Sequence, residues 1–384
     1  MPMKRNIYIM YAIALLQGMV FYGPIATLYR QAQGVSIFQI TLIESISLAL
    51  CIILEVPWGV VADKIGYKKT MVFCCGLYFV SKIVFWQAES FGAFLTERIM
   101  LSVVIAGLSG VDSSILFLSA NEGESQKVFG VYNALGTVGL LTAAAVFTLW
   151  VKDNYKLAGA LTVISYGLAA ALAFLLKEVK GEGGESLNFG HFKEVLKDSL
   201  SDKRLVIFLL AVAFLRESHQ TITVFLNQLQ YEKCGLGDSA IGGIFIVVSI
   251  IGLLGAFSHK LTGRLKIKAS GLLFYLLAAA ACLALALTDR AFISALSIML
   301  LRLVHSLFEP MQLELQNRQI QTVHRATALS IYAMIIDSVA ICTNLSFGAL
   351  AQRSLPLAFA FGAVICTAAA VMFLIWHHSY AKKA

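Results

Sequence analysis

Long apolar runs, each close to twenty residues and separated by short polar breaks, fill the chain from Ile7 to Trp376. As a helix, a run of that length crosses about 30 Å of hydrocarbon. The runs predict spans at about 6–28, 37–61, 71–89, 92–118, 127–151, 157–176, 205–229, 239–260, 270–288, 291–316, 326–350 and 356–377. Twelve crossings return both ends to one side. Most links are short, as antiparallel neighbours require. The exception is 177–204, where Gly181-Glu182-Gly183-Gly184 precedes a charged, amphipathic segment from Phe189 to Leu200. This segment is the one natural linker. The expected fold is therefore an all-α membrane protein of two six-helix bundles, 1–176 and 205–384, joined by a cytoplasmic linker over 177–204.

Composition supports that reading: the 384 residues are 59% hydrophobic and only 14% charged, with a mean hydropathy of +0.79. Such a chain is too apolar for a soluble domain. Its net charge of +8 comes from Lys and Arg concentrated in the links and ends. Basic links stay in the cytoplasm, which places both termini there and leaves no basic patch for a nucleic acid. The seven cysteines lie nearly all in apolar runs without a CxxC pair and read as free thiols. Lys4 and Arg5 precede an apolar run too long for a signal peptide, so it reads as an uncleaved first span. No GxxxxGK[ST], HExxH, CxxC or serine-hydrolase elbow occurs, which argues against an ATP-driven pump, an enzyme, a metal site or a cofactor.

Between the second and third runs lies Glu55-Val56-Pro57-Trp58-Gly59-Val60-Val61-Ala62-Asp63-Lys64-Ile65-Gly66-Tyr67-Lys68-Lys69. It reads as a tight turn at the cytoplasmic face. Gly66 permits a backbone angle other residues resist, and Gly59 allows close helix approach. Asp63 sits at the end of a helix, where the dipole disfavours an anion, so it needs a cation or another helix's N-terminus. The pattern Gly59-x-x-x-Asp63-x-x-Gly66-x-Lys68-Lys69 resembles the loop 2–3 signature of the major facilitator superfamily of secondary transporters. In that family the constellation latches the two halves in one conformation. The chain also resembles itself at an offset of about 200: Gly34 through Lys68 aligns with Gly235 through Lys268, the second copy keeping the basic turn and losing the aspartate.

Charged side chains in hydrocarbon are costly and should face a protein interior or a water-filled path. Span 4 carries Glu97, Arg98 and Asp112; span 7 carries Arg216, Glu217 and His219; span 10 carries Arg302, His305, Glu309 and Glu314. In the resembled family, spans 1, 4, 7 and 10 surround the central path. In span 10, Arg302, His305, Glu309, Gln312 and Gln316 share one side of a helix. That stripe can bind a polar solute or exchange a proton; the alternative is an internal Arg302–Glu309 salt bridge. His219, Thr223 and Asn227 form a second stripe. Glu97 either neutralises the adjacent Arg98 or leaves it for a functional role, and Asp112, among small residues, suits binding or coupling. Glu44 and Glu55 share a face of span 2, as do Asp337 and Asn344 of span 11. In the family those spans line the seam between halves. Gln17 is the better cavity candidate in span 1. Lys82, in span 3, is expected to snorkel to the outer interface.

The resemblance implies a monomeric transporter of the cell membrane, in a bacterium the inner membrane, whose halves rock about a midplane site. Its partners are a small-molecule substrate, the lipid bilayer and a proton as coupling ion. The Glu-Val-Pro-x-Gly lead-in and Arg325-Ala326-Thr327-Ala328-Leu329-Ser330 look like bacterial efflux members. The leading expectation is proton-coupled export of a small ionisable or amphiphilic molecule, with nutrient uptake as the alternative. A receptor or enzyme on a transporter-like fold is the third reading. Span 5, Gly130 to Val146, lacks the Gly-Pro motif typical of drug–proton antiporters, so direction stays open.

Overall fold

The structure, a computed structural model, describes residues 4–121, 124–179, 189–320 and 325–381; within its helices the side chains at 56, 59–64, 125–126, 189–192, 194, 325–327 and 380–381 lie outside the described residues. Every regular element among the described residues is a helix. Among the described residues, eleven helical stretches are long and apolar enough to cross a membrane. One of them, Asp238–Leu287, has 50 residues, about 75 Å at 1.5 Å per residue and enough for two crossings. It bends through a 3₁₀ turn at Leu253–Phe257 and at the non-helical Lys266. The predicted spans 8 and 9 therefore meet at Lys266, as spans 2 and 3 meet at Gly66.

The chain divides into two units, the first comprising Met1–Val35, Ile46–Leu187 and Asp238–Gly243, the second Ser36–Ser45, Asn188–Gly237 and Ile244–Ala384. In the first unit the helices are α1 (Lys4–Gly18), α2 (Ala26–Ala32), the greater part of α3 (Ile37–Ile65), α4 (Tyr67–Gln87), α5 (Phe91–Leu108), α6 (Val111–Ser119), α7 (Ser125–Val146) and α8 (Tyr155–Ala173). α1 packs on α7 and α8, and α4 on α5 and α8. Glycine permits the first of these contacts: a Cβ at Gly139 would strike the Leu15 carbonyl oxygen, and one at Gly18 the Gly136 carbonyl oxygen. Met10, Ile13, Met71, Cys75, Ile115 and Ala173 belong to the buried apolar core. Span 4 is interrupted, since Gly110, at φ +82°, separates α5 from α6.

The second unit holds α9 (Phe189–Ser201), α10 (Lys203–Gln220), α11 (Asn227–Lys233), most of α12 (Asp238–Gly252), α13 (Ser258–Leu287), α14 (Ala291–Gln319), α15 (Arg325–Arg353) and α16 (Leu355–Ala381). α10 packs on α15 and α16, and α13 on α14 and α16. The partners match those of the first unit one for one: spans 1·5, 1·6, 3·4 and 3·6 there, spans 7·11, 7·12, 9·10 and 9·12 here. The backbone repeats as well. Gly34 and Gly235 have φ of 78° and 79°, and Gly66 (φ 94°, ψ 150°) corresponds to Lys266 (φ 64°, ψ 160°).

Two expectations need correction. The loop signature is mostly helix rather than turn: α3 continues through Pro57 to Ile65, and α4 begins at Tyr67. The reversal rests on Gly66 alone. Lys82 does not snorkel outward; it is buried and its Nζ lies 3.3 Å from Glu97 Oε1. Glu97 thus serves Lys82 rather than its neighbour Arg98. The cause is packing: α4 and α5 run side by side, and Tyr22, Tyr78 and Tyr166 close over the ammonium at 5.8, 5.0 and 5.5 Å.

Candidate functional site

Polar side chains gather where α10 meets α14 and α15 in the second unit. α10 starts on an Asp202 cap, whose Oδ1 accepts from the Arg204 and Leu205 amides, and runs as apolar helix up to Arg216. From there Arg216, Glu217, Ser218 and His219 interrupt it, and the chain continues as a π-helical stretch over Thr221–Leu226 before α11. π turns hold an extra residue and recur at functional positions.

Arg216 Nη2 lies 3.5 Å from Asp337 Oδ1 on α15. Both side chains keep partial exposure, 42% and 25%, so the pair borders open space. Glu217 is buried, with Arg216, Glu44 and Asp337 in electrostatic reach. His219 stacks on His305 of α14, ring centroids 3.9 Å apart and planes 11° apart. His219 Nε2 lies 3.3 Å from Thr223 Oγ1. Arg302, one turn before His305, lodges against Gly252: a Cβ there would collide with its guanidinium. Glu309 is exposed. Among the described residues no ion pair joins it to Arg302, two helical turns away. Gln312 and Gln316, further along the same side, are buried. Chemically the cluster offers cations, carboxylates and two imidazoles within one unit, suited to a solute bearing charges of its own.

Asp337 is thus partnered by α10. Asn344, on its face of α15, hydrogen-bonds Thr221 Oγ1 at 3.3 Å and the Thr41 carbonyl at 3.4 Å. Glu55 is half-buried on α3.

The first unit brings together a second polar group. Asp112 falls in the first turn of α6, just past the Gly110 break. Its Oδ1 accepts from the Ser113 amide at 2.6 Å, and Tyr132 of α7 lies within electrostatic reach of its carboxylate. Gln17 Nε2 donates to Cys75 Sγ at 3.4 Å, and Cys75 in turn neighbours Tyr132. Gln17 and Asp112 thus lie near two residues, Cys75 and Tyr132, that the sequence did not single out as site residues. Arg98 is half-buried on α5.

At the basic turn, the side chains of Gly59 and Asp63 lie outside the described residues. Gly66, Lys68 and Lys69 open α4, and the carboxylate found there is Glu178. Its Oε1 accepts from the Lys68 amide at 3.2 Å, and its Oε2 lies 2.9 Å from where a Gly66 Cβ would stand. A carboxylate at a helix start satisfies an orphan amide and the dipole together. No periodic pattern could flag Glu178, because it follows the end of a helix.

Comparison with known proteins agrees with this architecture. Residues 7–343 match the family model described as Major Facilitator Superfamily. A 141-residue stretch is 25% identical to an uncharacterized MFS-type transporter of Methanocaldococcus jannaschii, covering 36% of this chain. The match spans 36%, about a third, of that relative's length. Among solved structures, a mutant form of the nucleoside transporter NupG superposes with a TM-score of 0.82 at 16% identity, over 97% of this chain and 99% of that one. A bacterial homolog of the human lysosomal transporter Spinster gives 0.75 at 15% identity, over 99% and 98%. A D-xylose-proton symporter gives 0.72 at 13% identity, over 97% of each.

Proposed function

The chain belongs to the major facilitator superfamily and is a secondary transporter, a multi-pass membrane protein rather than an enzyme; from that premise we propose that the α10–α14 cluster binds a small ionisable organic solute whose movement is coupled to protons. The observation that carries the reading is the gathering of Arg216, Glu217, His219, Arg302 and His305 inside one helical unit, in helices long and apolar enough to cross a membrane. Groups so costly to place in a membrane are retained for a path, a relay or a ligand. Glu309, exposed on the same helix, is the proposed proton carrier, and Gln17 with Asp112 a second proposed polar group within the other unit. Arg98 is proposed as an accessory to it. Residues 1–176 and 205–384 are the proposed halves, with both termini in the cytoplasm and the chain acting as a monomer in the cell membrane.

Export is the direction we favour, from the likeness of the Glu55–Gly59 lead-in and of Arg325–Ser330 to efflux members. Uptake is the second reading, favoured by the missing Gly-Pro motif between Gly130 and Val146. Purified protein in liposomes with a trapped pH-sensitive dye, challenged with a panel of ionisable solutes, tests both. Opposite movement of solute and protons is expected. Movement together gives a symporter, and solute flux without protons removes the coupling. Glu309→Gln is expected to abolish pH-driven accumulation, and an unchanged pH dependence in that variant would return Glu309 to a structural role.

A further inference from the structure

The His219–His305 stack carries a consequence of its own. A neutral imidazole has one N–H donor and one acceptor nitrogen, whereas the protonated ring has two donors. In this arrangement His219 Nε2 engages Thr223, while Nδ1 of His219 and Nδ1 of His305 are both buried with no hydrogen-bond partner among the described residues. Bare acceptor nitrogens suit neutral rings. A proton added to either Nδ1 becomes a buried donor with nothing to receive it, which is the costly case for a hydrogen-bonding group.

The surroundings act in the same sense. The charged groups that reach the stack are Arg302 from α14 and Arg216 from α10, both cations. Three carboxylates stand nearby. Glu309 of α14, one turn beyond His305 and exposed, acts on Arg302. Asp337 of α15 is held by Arg216, and Glu217 of α10 sits within reach of Arg216, Glu44 and Asp337 rather than at the rings. α16 brings only the Cys366 thiol, beside Ser218, and α12 brings Gly252, which receives Arg302. Among the described residues the charged groups that act on the stacked rings are cations, and no carboxylate acts on them. Proton uptake therefore favours a ring swung out of the stack.

Position decides what that movement does. His219 is the second-last residue of α10, and its hydrogen-bond partner Thr223 lies inside the π-helical stretch Thr221–Leu226. His305 stands five residues before Pro310, inside α14, where no amide is available to close the ladder. The stack thus pins the least regular turn of span 7 to span 10. We propose that the His219–His305 stack is a proton-released catch, closed when both rings are neutral and opened by a proton on either, which frees the π turn of span 7. The proposal rests on the reading of this cluster as the transport site, whose regulation it would supply.

Hydrogen exchange followed by mass spectrometry on the full chain in lipid nanodiscs, without any solute, tests it. Exchange is compared at pH about 8 and about 5.5, either side of the ordinary imidazole value near 6.5, after correction for the intrinsic pH dependence of exchange. In peptides covering 214–228, about tenfold faster exchange is expected at the lower pH. Equal protection at the two pH values overturns the proposal. In His219→Phe/His305→Phe, which keeps two flat rings and removes the titration, the pH response should vanish; its persistence also overturns the proposal. If that variant does not fold, His219→Gln/His305→Gln serves the same comparison. Because no solute is present, failure here leaves the transport reading standing, and failure of the liposome assay leaves this result intact.

Discussion

Lys82 and Glu97 show what single residues do when the bilayer is the solvent. The pair is buried to 4% and 1% exposure, and Glu97 Oε2 has no hydrogen-bond partner among the described residues. Three tyrosine faces and one carboxylate oxygen replace the hydration of the ammonium. Removing one partner strands the other. Lys82→Met is expected to cost about 3–5 kcal/mol, read as a fall in melting temperature in detergent. Lys82→Met/Glu97→Gln should recover most of the loss, since a neutral amide tolerates the site better than a lone carboxylate. Equal destabilisation by the single and double variants would show that charge is not the cause. Sequence periodicity located both residues and paired neither, because a pair across helices depends on which faces meet. For the same reason the stripes of spans 7 and 10 were legible and the histidine stack between them was not.

Helix corners were legible as places and less so as shapes. The glycine-bracketed segment announced a reversal, yet α3 runs to Ile65 and the chain turns on one residue. Hydropathy set the limits of span 2, while the backbone carries helix on through the charged positions to Ile65. Gly66 and Lys266 hold nearly the same dihedrals, in a region that is essentially glycine-only and costs other residues about 1–3 kcal/mol. Opposite effects follow at equivalent positions. Gly66→Ala is expected to lower the melting temperature, through strain and through contact with Glu178. Lys266→Gly should raise it, by about 1 kcal/mol of relieved strain. Thermal unfolding of both variants under one detergent condition checks the pair, and shifts of the same sign would contradict the shared conformation. The Gly110 break in span 4 had a sequence signal, Gly107 through Gly110 with two serines nearby, but a glycine in a membrane helix equally serves close packing.

For the molecule as a whole, twelve apolar runs, one linker and a loop signature were sufficient to read the fold class, because length and hydropathy fix what can cross a bilayer. Substrate and direction were not legible, since they depend on cavity shape and on the relative energies of states. The loop residue Asp63 belongs at this scale: if it latches the transport cycle, Asp63→Asn should reduce flux at least about tenfold while purified yield and melting temperature stay near wild type. Full flux would remove the latch role. The π-helical stretch Thr221–Leu226 has a bearing on how much one span can recognise. An unbroken α-helix turns about 100° per residue, so a single surplus residue rotates everything beyond it by roughly a quarter of a revolution. Arg216 to His219 before the turn and Asn227, Gln228 and Gln230 after it, all but Arg216 buried, are thereby aimed at different neighbours. One crossing thereby presents polar groups in two directions, and deleting one residue between 221 and 226 would re-aim its second half without changing a single side chain.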